Sequence, residues 1–327
     1  METGKTNQSV WVFSEQPQLA FELLGKGSFL AKELGSDLVA ISMGVASQVE
    51  RYIWQGADRV ISIDDPTLND FQVDTYTDAL SGVVDELKPD IILIGATRNG
   101  LEFAPRLAER LKTGCVTETT KIELDAEKNS LLMDRVTWGG TLVETQISRV
   151  KPEIATIAKG LFSPLVTDNS RKGEIIKAKP KIKPSSTRIL EKKPKEARGV
   201  RVTDASVIVS FGRGVRKKED MILIEKLAES IGGAVGCSRP ISEDLGWLPE
   251  EQYIGLSGQK VNPRLYVACG ISGQIQHLTG IRNSKVIVSI NNDPKAPIFE
   301  FSDYGVVADL YEILPILTDT IKQLMQT

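Results

Sequence analysis

Short unbroken apolar runs, each followed by helical spacing, fill the first third of the chain. Ser9–Glu15, Leu38–Gly44, Arg59–Asp64 and Asp90–Ala96 are the runs. Helices are predicted up to Leu34, in a short stretch ending near Gly56, over Tyr76–Leu87 with Pro89 as its stop, and after the turn Ala96–Gly100. Near-continuous apolar strands separated by helices point to a parallel sheet covered on both faces. After Gly114 the pattern changes. VTETTKIELD, LLMDRVTWGG, TLVETQISR and EIATIAKGLF alternate and are rich in β-branched residues, so an antiparallel section is expected, with Trp138-Gly139-Gly140 as a hairpin turn.

Periodicity lapses from Lys177 to Arg198, a lysine- and proline-rich stretch that reads as a solvated linker. It divides an N-terminal domain, 1–198, from a C-terminal domain, 199–327. Strand–helix alternation then resumes. SVIVSFGRG, AVGCSRP, LYVACG, VIVSIN and APIFEF are predicted strands. Lys218–Ile231 is a helix stopped by Gly232-Gly233, and the final helix within Val307–Gln326 is interrupted or kinked near Pro315. The expected fold class is thus α/β with two domains. The first is a doubly wound parallel sheet with an antiparallel section, and the second is a parallel sheet.

The predicted strands of the second domain end in Gly212-Arg213-Gly214, Ser238-Arg239, Gly270-Ile271-Ser272-Gly273 and Asn291-Asn292-Asp293. In a parallel sheet these ends share one rim, which then offers glycines for close approach, arginines, hydroxyls and amides. That set suits the pyrophosphate and ribose of a dinucleotide. Ser272 is the predicted start of the helix after the third strand, with Gln276 and His277 one turn later. In the first domain, the turn ending in Asn99-Gly100 is either a second ligand edge or plain turn and capping residues.

Composition narrows the chemistry. A formal charge of −3 over 327 residues gives no global argument for nucleic acid. No apolar run approaches the ~20 residues that span a bilayer, and METGKTNQSV carries no signal or transit pattern, so a cytoplasmic location is expected. Cys115, Cys237 and Cys269 form no C-x-x-C pair, and His277 is the single histidine, which disfavours a metal site. It also leaves no acid–base constellation for a self-contained flavoenzyme.

Together GRG, CSRP, GISGQIQHLTGIRNSKVIVSINNDPKAPIF and DYGVVADL, with GATRNGLEFAPRLAERLKTG in the first domain, resemble the alpha subunit of electron-transfer flavoproteins. The resemblance implies FAD in the C-terminal domain and a heterodimer with a beta subunit. Electrons would come from a flavoprotein of the acyl-CoA dehydrogenase type, and this chain would be a carrier rather than a stand-alone enzyme. Carried onto matching positions, it places Arg213 and Ser272, Gly273, Gln274, Ile275, Gln276 and His277 at the pyrophosphate and flavin. Ser238 and Arg239 would flank the ring, and Ile254, Gly255, Leu256 and Ser257 would run along it. Asn291, Asp309 and Leu310 would hold the ribose and adenine side. Redox tuning falls to Arg239, His277 and Ser257, because a cation or donor beside the ring favours the negative charge of a reduced flavin. Where many relatives read Gly-Gln-Thr-Gly, this chain reads Gly255-Leu256-Ser257-Gly258. That variant resembles the bifurcating branch, which implies a second FAD in the beta subunit, NADH as donor and ferredoxin as low-potential acceptor.

Overall fold

The computed structural model describes residues 9–44, 49–125, 127–192 and 201–325. These fall into two compact units, one of 9–136 with 143–192 and one of 137–142 with 201–325.

The first unit opens with β1 (Ser9–Phe13), α1 (Pro17–Leu34), β2 (Asp37–Met43), α2 (Glu50–Trp54) and β3 (Arg59–Ile63). Next come α3 (Val73–Leu87), β4 (Ile91–Gly95), α4 (Arg98–Leu111), β5 (Cys115–Asp125) and β6 (Ser130–Thr137). The strands β7 (Leu142–Gln146), β8 (Glu153–Ile157) and β9 (Glu174–Lys177) complete a nine-stranded sheet ordered β7-β6-β5-β8-β4-β1-β2-β3-β9. Alternate residues of β1 explain the two layers. Val10 and Val12 face a core with Leu19, Leu23 and Leu30 of α1, while Trp11 and Phe13 face Ala79, Leu80, Phe103 and Leu107 of α3 and α4.

Two sequence expectations change here. The segment containing Glu153–Ile157 was expected in the antiparallel section, but β8 runs parallel to both β4 and β5 and is wholly buried. The antiparallel section is carried by β5 with β6. A strand buried on both faces is apolar throughout, as EIATI nearly is; of its two polar residues, Thr156 accepts from the Glu118 N–H at 2.8 Å, and Glu153 accepts from the Leu131 N–H at 2.8 Å and pairs with Lys151 at 2.5 Å. The linker expectation also changes. β9 joins the sheet beside β3, and Ala178 and Ile182 pack on the α3 side of the core. Ser185 and Ser186 then donate to the Asp74 carboxylate, the Ser186 N–H at 2.8 Å. The remainder, 193–198, lies outside the described residues.

The second unit contains β10 (Val207–Phe211), α5 (Met221–Ser230), β11 (Ala234–Cys237), β12 (Leu265–Cys269) and α6 (Ile275–Ile281). It continues with β13 (Ile287–Asn291), β14 (Tyr304–Val307) and α7 (Leu310–Met325). The sheet is parallel, ordered β11-β10-β12-β13-β14. Strand order therefore reverses between β10 and β12, which is where open α/β sheets leave a crevice at their C-terminal edge. Val209 and Phe211 pack with α5 and α7 on one face; Ile208 and Tyr266 pack with Leu278 and Ile281 of α6 on the other.

Two local expectations differ, and for the last helix an interruption at Pro315 is ruled out. APIFEF is not a strand: Pro297–Phe301 forms a 3-10 turn, and the edge strand is Tyr304–Val307. Pro297 lacks a ladder N–H, and the Ile298 N–H is committed to the Ser272 carbonyl at 3.0 Å. The helix expected from Ser272 begins at Ile275, which puts His277 in its first turn. The last helix starts at Leu310 and runs through Pro315, held by Leu314, Leu317 and Ile321 packing against the core. Its Thr318 hydroxyl donates to the Leu314 carbonyl at 2.7 Å.

Burial raises the Asp74 pKa, but hydrogen bonds from Ser186, Ser185 and Thr75 outweigh it and hold the group at about 2. The anchor is complete above the ordinary value of 3.8 and is lost as pH falls through about 2. Asp74→Ala is expected to speed proteolytic cutting within 183–192 severalfold at neutral pH. The cost in global stability is on the order of 1 kcal/mol, since the carboxylate is partly exposed. Limited proteolysis alongside denaturant unfolding measures both.

Candidate functional site

The crevice at the β10/β12 switch is a cleft of about 680 Å³, within the range of small-molecule and cofactor sites. Its floor is two interlaced turns. The Gly212 N–H donates to the Cys269 carbonyl at 3.0 Å and the Gly214 N–H to the Gly270 carbonyl at 3.1 Å. A Cβ on Gly214 would lie 2.5 Å from the Gly270 Cα, so the two backbones touch where any side chain would part them. Asn291, at the end of β13, closes the turn from beneath. Its side-chain amide donates to the Ile271 carbonyl at 2.8 Å and its oxygen accepts from the Asp293 N–H at 3.0 Å.

All four expected strand ends reach this cleft, represented by Arg213, Ser238 and Arg239, Ile271 and Ser272, and Asn291 and Asn292. Of the other expected residues, Ile254, Leu256, Ser257, Gln274, Gln276, His277, Asp309 and Leu310 also line it. Gly255, Gly273 and Ile275 are not among the lining residues and act on the scaffold. Gly273 has φ +87° and abuts Ile298, whose N atom would be 2.3 Å from an added Cβ. Gly255 lies against Gly280, while Ile275 opens α6.

Two lining residues escaped the sequence reading. Arg216 reaches Asp309 at 3.3 Å and lies over the Tyr311 ring. The Tyr253 hydroxyl is 3.0 Å from the Ser257 hydroxyl, which fixes the loop tip. Arg216 follows the GRG turn by two positions and was visible as a third arginine near one rim; Tyr253 carried no such signal.

Charge is divided along the cleft. Arg213 and Arg216 are exposed, and the side chain of Arg239 is 63% exposed. Arg239 donates to Glu243 at 2.6 Å, a pair that raises the guanidinium pKa further. At the other extreme His277 is only 7% exposed. Burial drives its pKa down to about 4, opposed weakly by the Ile254 backbone, so the imidazole is neutral at physiological pH. Its Nε2 lies 2.9 Å from the Tyr266 hydroxyl, whereas Nδ1 is buried with no hydrogen-bond partner. An unpaired buried polar atom on a cleft wall calls for a partner, which a bound water or a ligand can supply.

The remaining chemistry is quiet. Burial pushes Cys115, Cys237 and Cys269 up to about 12, which makes them small apolar side chains. Among the described residues no group of three or more His, Cys, Asp or Glu is arranged to hold a metal ion. No described helix is long and apolar enough to cross a membrane. The Ala96–Gly100 turn of the first unit is filled by its own capping: Thr97 Oγ1 accepts the Gly100 N–H at 2.9 Å and donates to Glu15. A Cβ on Gly100 would fall 1.8 Å from the Gly95 carbonyl oxygen.

Comparisons with known proteins agree with this geometry. Residues 201–282 match the family described as Electron transfer flavoprotein FAD-binding domain, and residues 10–183 match the Electron transfer flavoprotein domain. The electron transfer flavoprotein subunit alpha of Thermoanaerobacterium thermosaccharolyticum is 38% identical over 97% of this chain and 98% of its own. That of Bacillus subtilis is 37% identical over 95% of this chain and 94% of its own. Subunit LctC of the lactate dehydrogenase (NAD(+),ferredoxin) of Acetobacterium woodii is 36% identical over 93% of this chain and 73% of its own.

His277 imposes a pH signature. Its folded-state pKa of about 4 lies below the ordinary imidazole value of 6.5, so the unfolded chain binds the extra proton first. Stability is complete above 6.5 and falls as pH drops toward 4, by roughly 3 kcal/mol from this group. In His277→Gln that component should vanish, which denaturant melts at pH 7 and pH 4.5 will compare.

Proposed function

The chain belongs to the electron-transfer flavoprotein alpha-subunit family, with that family's FAD-binding domain at its C-terminal end, and from that premise we propose that it carries electrons as one half of a heterodimer with a beta subunit. The supporting observation is the switch-point cleft itself, which combines three arginines, a close-packed glycine floor and an unpartnered buried imidazole. These features fit FAD. Arg213 and Arg216 offer positive charge to the pyrophosphate, and the tight approach of Gly214 and Gly270 admits it to the backbone. Ile254, buried, and Leu256 with Tyr253 form the apolar wall that excludes water from a ring system. Asn292, Asp309 and Leu310 offer the polar end suited to ribose and adenine. When bound, the flavin supplies the electron-accepting ring. This chain's part is to hold it, keep water away, and bias its charge through Arg239, His277 and Ser257.

The electron donor in this reading is a flavoprotein of the acyl-CoA dehydrogenase type. A second reading is favoured by two observations. The flavin loop carries Leu256-Ser257, and a relative of 36% identity is named for NAD(+) and ferredoxin. In it the beta subunit holds another FAD, takes electrons from NADH and passes some to ferredoxin.

Purifying the chain with its beta partner and counting nucleotides separates the two readings. One FAD with one AMP per heterodimer fits simple transfer, two FAD fit bifurcation, and a heterodimer that takes up no FAD overturns both. Arg239→Ala is expected to retain FAD while its first reduction potential moves to a more negative value, because a cation beside the ring is lost. An unchanged potential in a spectroelectrochemical titration removes Arg239 from the tuning role.

A further inference from the structure

Tyr266 is the second residue of β12, three residues before the strand's C-terminal end, on the sheet face covered by α6, and is fully buried. It is not a lining residue of the cleft. Its hydroxyl nevertheless reaches the one histidine of the chain, 2.9 Å from Nε2. Complete burial pushes the phenol pKa far up, with the Ser210 hydroxyl beside it opposing the shift weakly, so the phenol keeps its proton at every working pH. That proton needs an acceptor in a place without water. The imidazole is neutral and so has one bare nitrogen and one N–H. If Nε2 accepts from the phenol, the ring proton resides on Nδ1. Nδ1 is the atom left without a partner, on a residue that lines the cleft, and the Ile254 backbone acts on the ring in the sense that favours a protonated nitrogen.

We propose that Tyr266 is a positioning residue that fixes His277 as the Nδ1–H tautomer, so that the imidazole meets the bound flavin as a neutral hydrogen-bond donor. This rests on the FAD reading above for the identity of the acceptor. Within the chain the Nδ1–H finds no acceptor at hydrogen-bond geometry, the Ile254 backbone being only the lesser influence on the ring, and a ring oxygen or nitrogen of the flavin would supply one. Because the donor is held in place before binding, no proton moves when the ligand arrives, and the fixed dipole favours negative charge on the flavin ring. Without the phenol, the ring proton divides between the two nitrogens, and part of the population presents a bare lone pair to the ligand's acceptor.

The single histidine makes the test direct. With only this chain labelled with 15N-histidine, the two ring nitrogens of the full-length protein give one imidazole spectrum. The protonated nitrogen in the unliganded wild type should be Nδ1; a ring protonated on Nε2 overturns the proposal without any variant being made. Tyr266→Phe should broaden or redistribute the two nitrogen signals and weaken FAD binding to the heterodimer by roughly three- to tenfold. An unchanged imidazole spectrum in that variant also overturns it. In a His277→Asn background, Tyr266→Phe should weaken FAD binding by less than about twofold further. Equal losses in the two backgrounds mean that Tyr266 only supports the core. Failure of the wild-type heterodimer to bind FAD instead sinks the functional reading, while the tautomer measurement on the chain still stands or falls by itself.

Discussion

The contact between the Gly214 and Gly270 backbones governs the rest of the site. Parallel pairing of β10 with β12 brings their C-terminal turns side by side, and the absence of two side chains lets those turns hydrogen-bond and share one floor. Every other lining group is positioned from that floor. Asn291 is braced against the second turn, α6 starts from it, and the Gln276 carbonyl at the helix start accepts the Leu256 N–H at 2.7 Å and so sets the height of the flavin loop. A methyl group at either glycine meets backbone rather than a movable side chain, so the damage spreads along both strands.

Much of this was legible in the residues because parallel strands write themselves plainly. A short apolar run ending in glycine or in polar residues marks both the buried strand and the edge where ligands collect, and the second unit does this four times, twice with glycine. The misreadings share a cause, since each turned on pairing or docking that sequence periodicity does not encode. EIATI resembles its alternating neighbours until its insertion between β4 and β5 is seen. PIFEF alternates like a strand, but its backbone is spent on the Ser272 turn. The lysine- and proline-rich segment looks solvated because its few apolar residues, such as Ala178 and Ile182, are too sparse to show a period. Tyr253 and Tyr266 were invisible for a different reason: each acts through another side chain, and such contacts leave no spacing rule.

The cleft separates two kinds of electrostatics. Its arginines are exposed and mobile in charge environment, and Arg239 is already neutralised in part by Glu243. Their effect is therefore diffuse and screened by salt. His277 is the reverse, uncharged but buried, so its dipole acts in a low-dielectric pocket where orientation counts for more than net charge. The cleft thus pairs a positive, screened rim with a neutral, buried imidazole on its wall.

The cysteines beneath that floor bear on how the site ages. Cys237 and Cys269 end β11 and β12, fully buried, with pKa values near 12. Burial keeps both in the thiol form at neutral pH, whereas the thiolate is the form that peroxide attacks. The strands that carry the rim thus end in sulfur that is poorly reactive toward oxidants, a form of durability that comes from burial alone.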